Sequence, residues 1–104
     1  MIIQLNACKN LDINEAFGEK LKALLTDKLG RFSENITRLE VHLSDENGLK
    51  DGQNDKRCLL EARLEGMQPV AVTADEHTHE ESVKTAIDKL KTSLDTIIGR
   101  LKNH

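Results

Sequence analysis

Apolar residues fall on alternate positions in four places along this chain and at helical spacing in two. Ile3, Leu5 and Ala7 alternate with Gln4 and Asn6, and Leu39, Val41 and Leu43 alternate with Arg38, Glu40 and His42. Cys58, Leu60, Ala62 and Leu64 interleave with Arg57, Leu59, Glu61 and Arg63. Val70, Val72 and Ala74 make a fourth run behind Pro69, placed at a strand start where a missing N–H does least harm. A period of two sends one face of each strand into a core and leaves the other in water. Phe17, Leu21, Leu24, Leu25 and Leu29 instead form one stripe of a helix. Asn14 is its N-cap, Glu15 sits at its positive end, and Gly30 reads as its stop signal. Val83, Ile87, Leu90, Leu94, Ile97 and Leu101 step by four and three through a second helix. Thr78-His79-Glu80-Glu81 opens it with the spacing of a capping box.

Two connections carry turn chemistry. The polar, glycine-bearing stretch 44–56 reads as a long hairpin loop, and Gly66-Met67-Gln68-Pro69 turns the chain between the last two strands. The resulting order is strand-helix-strand-strand-strand-helix. Each strand has one apolar face and each helix one apolar stripe, so the economical packing has two layers. The expected fold class is α+β, a two-layer β-α-β-β-β-α domain over residues 1–104, with both helices packed on one face of a four-stranded sheet. The first helix connects parallel strands by a right-handed crossover, and the later strands follow as antiparallel hairpins. The far face, with Arg38, Glu40, His42, Arg57, Glu61 and Arg63, stays wet.

Composition narrows the chemistry. The 104 residues carry a formal charge of −3, and Phe17 and Phe32 are the only aromatics. The core is therefore aliphatic, and base-stacking platforms for single strands are missing. Cations gather locally, with Lys20, Lys22, Lys28 and Arg31 on and just after the first helix. Lys84, Lys89, Lys91, Arg100 and Lys102 on the second face only Asp88 and Asp95. These nine form the candidate phosphate-binding set; the plainer reading is a solvated face balanced by Glu19, Asp27 and Asp88. Two cysteines, Cys8 and Cys58, define no disulfide framework. Cys58 falls on the inward side of its strand. With no apolar run of the roughly 20 residues that a membrane span needs, a cytoplasmic protein without a membrane partner is expected.

Nothing points to an enzyme or a small-molecule substrate. Asp45-Glu46-Asn47-Gly48 and Asp51 to Asp55 offer hard oxygen ligands but lack the full calcium-loop pattern. His77 and His79, with Glu80 and Glu81, fall short of a convincing four-ligand zinc site. Glu80 and Glu81 are neighbours on a helix and point apart, and no cysteine–histidine pair or glycine-rich phosphate loop is present. No metal and no cofactor is expected.

Several stretches nevertheless resemble one family. Leu11-Asp12-Ile13-Asn14-Glu15-Ala16 is similar to the entry into its first helix, Lys28-Leu29-Gly30-Arg31-Phe32 with Ile36 to the pattern that ends that helix, and Ala86-Ile87-Asp88-Lys89-Leu90 to the core of its last helix. Val41 to Gly48, followed by Asn54-Asp55-Lys56-Arg57-Cys58, is similar to the hairpin of a short subgroup. The family is that of the ribosome-hibernation factors, also called ribosome-associated inhibitor or sigma-54 modulation proteins. The resemblance implies a factor that binds the small ribosomal subunit through rRNA phosphates on its two helices and silences translation under stress. It also implies the short form, without the dimerising tail domain. Thr92, Asp95, Thr96 and Ile98 stand where such proteins often carry Arg or Lys. A protein-interaction module on the same fold, with RNA binding weakened or lost, is therefore the alternative.

Overall fold

The computed structural model describes residues 1–7, 13–45 and 56–102, with side chains as far as Arg100. The elements are β1 (Ile2–Ala7), α1 (Glu15–Lys28), a 3-10 turn (Gly30–Phe32), β2 (Ile36–Asp45), β3 (Lys56–Leu64), β4 (Val70–Glu76) and α2 (His79–Lys102). The strands lie in the order β1-β2-β3-β4; β1 is parallel to β2 and the other neighbours are antiparallel. This is the α+β arrangement read from the periodicity.

The register explains why alternation was so informative. Ile3, Leu39, Ala62 and Val70 lie side by side across the sheet, as do Leu5, Val41, Leu60 and Val72, and then Ala7, Leu43, Cys58 and Ala74. Leu21 and Leu25 of α1, Leu29 at its C-cap, and Val83, Ala86, Ile87, Leu90 and Leu94 of α2 close over that face in one aliphatic core. Burying such side chains contributes roughly 1.5–3 kcal/mol each, which is what two layers without large aromatics need. The opposite face is polar, with rows such as Gln4, Glu40, Glu61 and Ala71. Arg63 reaches Glu40 at 3.1 Å and Glu61 at 3.3 Å, Arg57 reaches Asp75 at 2.8 Å, and Arg38 donates to Gln4.

Local chemistry sets the helix entries. The Asn14 side chain accepts the Phe17 N–H at 2.8 Å, and the Thr78 hydroxyl accepts the Glu81 N–H at 3.1 Å. Gly18 lets α1 lie close on β1, since a Cβ there would stand 3.4 Å from Leu5 Cδ2. Gly30 does follow directly on the Leu29 cap where α1 stops, but without the left-handed conformation of a glycine cap. Among the described glycines only Gly66 has a positive φ, 71°, at the β3–β4 turn. The helix ends with the Leu29 N–H on the Leu25 carbonyl, and Gly30 opens the 3-10 turn. Strand pairing also extends past the expected boundary: Asp45 and Lys56 pair across β2 and β3 with a 2.9 Å ion pair. The hairpin connection is thus shorter than the stretch 44–56, and its remainder lies outside the described residues.

Because β1, β2 and β4 point the same way and each helix turns back on the strand before it, α1 and α2 run parallel, side by side. Their starts share one end of the sheet. There the His79 ring nitrogen Nε2 lies 3.2 Å from the Ser44 carbonyl, tying the entry of α2 to β2.

Candidate nucleic-acid interface

Side-by-side parallel helices make one long seam, and the cations on its two shoulders form the candidate site. Lys20 of α1 stands 2.5 Å from Glu80 of α2, and Lys84, one turn further along α2, stands 3.2 Å from the same carboxylate. Further along, Lys28, Lys84, Ile87 and Asp88 line a notch of about 310 Å³. Arg31, in the 3-10 turn, pairs with Asp95 at 2.8 Å while its guanidinium lies over the Phe32 ring, 4.5 Å from the centroid. Lys91 is two turns beyond Lys84 and one turn before Asp95, so helix geometry puts it on the same shoulder. Among the described residues neither Lys28 nor Lys91 has a carboxylate within ion-pair distance.

The remaining candidates lie elsewhere. Lys22 borders a separate cavity of about 340 Å³ beside β1, with Glu15 and Glu19. Lys89 turns to the β4 edge, where its ammonium donates to the Thr73 carbonyl at 2.8 Å. Arg100, eleven residues on from Lys89, shares that outer flank by helical spacing. Lys102 belongs to the last turn of α2, and its side chain lies outside the described residues. Five of the nine cations therefore meet at the seam and three do not.

The electrostatics are mixed. Hydrogen bonds from Lys20 and then Lys84 hold the Glu80 carboxyl below its ordinary value near 4.5. The acids that balance the seam are mainly Glu80 and Asp95, with Asp88 in the notch, rather than Glu19 and Asp27. The Glu80–Lys84 pair was legible as an i,i+4 spacing. Lys20–Glu80 and Arg31–Asp95, the latter 64 residues apart, had no local signal.

Other chemistry is sparse. Among the described residues no three His, Cys, Asp or Glu side chains gather closely enough to hold a metal ion. Cys58 is fully buried, and burial pushes its thiol up to about 12, far from a nucleophile at neutral pH. No described helix is long and apolar enough to cross a membrane.

Comparison with known proteins agrees with the fold. The family model described as "Sigma 54 modulation protein / S30EA ribosomal protein" matches residues 6–102. Among solved structures, the Protein Y N-terminal domain from Thermus thermophilus superposes with a TM-score of 0.72 at 22% identity, covering 93% of this chain and 99% of that one. A ribosomal subunit interface protein from Coxiella burnetii gives a TM-score of 0.72 at 20% identity, covering 95% of this chain and 99% of its own. At such identities these two likenesses concern the fold. Comparison with curated protein sequences finds no match.

Proposed function

The chain belongs to the sigma 54 modulation protein / S30EA ribosomal protein family, and from that membership we propose that it is a cytoplasmic ribosome-associated factor that silences translation by occupying the small subunit. The observation that carries this reading is the convergence of Lys20 and Lys28 from α1, Arg31 from the 3-10 turn, and Lys84 and Lys91 from α2 on one seam. Ammonium and guanidinium groups along such a groove exchange the counterions of an RNA backbone for direct phosphate contacts, a gain that grows as salt falls. Phosphate contacts position a protein without reading bases. Selectivity then comes from the shape of folded rRNA, since A-form helices present phosphates and 2′-hydroxyls rather than a readable major groove. With a net charge of −3, attraction is confined to the seam. The molecule acts as a wedge, without chemistry.

Cosedimentation with purified small subunits at about 50 and about 200 mM salt tests the proposal. The expected outcome is a bound fraction at the lower salt that falls steeply at the higher. Absence of binding at both removes the reading. It would leave the second one, a protein-interaction module on the same fold, which is favoured by one specific observation: Glu80 and Asp95 neutralise part of the seam.

A further inference from the structure

We propose that Lys20 and Lys84 form a phosphate seat masked from within, in which the Glu80 carboxylate holds the place of an RNA backbone phosphate and competes with it. The inference rests on the ribosome-occupancy reading and adds to it a built-in limit on affinity. The geometry is that of a two-oxygen anion held by two cations. Glu80 Oε1 lies 2.5 Å from the Lys20 ammonium, and Oε2 lies 3.2 Å from that of Lys84. A phosphodiester presents two non-bridging oxygens that divide between two donors in the same way. The lysine side chains are 63% and 57% exposed, whereas that of Glu80 is 31% exposed. The two lysine side chains are thus more open to solvent than that of Glu80, and a polyanion reaches them without any opening of the core.

Exchange is also energetically accessible. Ion pairs between exposed side chains contribute little to stability, so Glu80 is released at small cost when phosphate arrives. Asp95 repeats the device on Arg31, fifteen residues along α2 or about 22 Å from Glu80. The seam thus has a masked cation group towards each end, with the unpaired Lys28 and Lys91 between them. Masking lowers the positive charge that the empty seam presents at its two ends. It also means that a bound phosphate must win each outer contact from a carboxylate.

The test is Glu80→Gln, which keeps the side-chain shape and removes the competing charge, set beside Glu65→Gln, the same charge change at an exposed turn. Both are measured with purified small subunits over a salt series, with thermal melts as a check on folding. E80Q is expected to bind about three- to tenfold tighter at low salt, with a log–log salt slope steeper by about one unit. E65Q should match the wild type. Adding Lys20→Met and Lys84→Met to E80Q should cancel the gain, whereas adding Lys22→Met and Lys89→Met, the same charge change on the outer flanks, should leave most of it, a difference that a general charge effect would not produce. If the wild type binds and E80Q shows the same affinity and slope, or weaker binding, Glu80 is merely a pin between the helices and the masked seat is wrong. If no form binds, E80Q included, occupancy of the small subunit itself fails, and the seat fails with it.

Discussion

Replacing Lys28 and Lys91 together with alanine isolates the part of the seam that is free of internal partners. Neither ammonium is paired with a carboxylate among the described residues, so their removal breaks no ion pair. Lys28 is exposed and Lys91 half-exposed, so the core is not disturbed either. Each phosphate contact contributes about 0.9 to the slope of log K against log salt. Two lost contacts lower the slope by about 1.8. If the electrostatic part vanishes near 1 M salt, this amounts to about a 60-fold loss of affinity at 0.1 M. The assay is a filter or sedimentation titration against small subunits at four or five salt concentrations, with the melting temperature recorded in parallel. The control is Lys22→Ala with Lys89→Ala, which removes the same charge from the outer flanks. A seam variant that binds like the wild type, or a flank variant that loses as much, would refute the placement of the RNA surface between the helices.

Three further outcomes follow from the packing and the titrating groups. Leu90 is fully buried between α2 and the sheet, so Leu90→Ala should cost about 3–4 kcal/mol of unfolding free energy by chemical denaturation, cavity included; a loss below about 1 kcal/mol would mean that α2 is not seated as described. In a Cys8→Ser background, Cys58 should resist thiol reagents at pH 8 until denaturant is added. Its raised folded-state value also makes stability fall as pH climbs from 9, where the unfolded thiol ionises, towards about 12; rapid native-state labelling would contradict the burial. Glu80 shifts the other way. Its contribution is present above the unfolded value near 4.5 and is lost as pH drops through the lower folded value. The melting difference between wild type and E80Q should therefore shrink in acid, and a difference independent of pH would exclude the carboxylate as its source.

The amino-acid order determined the architecture almost completely, because its signals are local. Alternation at Leu39, Val41 and Leu43 and the heptad-like steps from Val83 to Leu94 each assign a face to an element, and elements with one apolar face have few ways to pack. The Asn14 cap was legible for the same reason, since capping spans only three residues. Where local signals compete, the chain alone was a poorer guide. Gly30 marked the end of a helix, but nothing local announced that it also opens a 3-10 turn. Asp45 and Lys56 look like loop residues until strand pairing sets them opposite each other.

The site was legible as a set of cations but not as a surface. Nothing near Lys89 in the chain distinguishes it from Lys91, yet one points to the β4 edge and the other lies on the seam, because the rotation of α2 is set by the core beneath it. The partners of Lys20 and Arg31 come from α2, far along the chain, and only the side-by-side placement of two helices on one sheet brings them within reach. Composition thus determined how much charge this protein carries. Tertiary packing decided which charges meet and which cancel, because electrostatic contacts depend on distance through space and sequence spacing reports it only within an element.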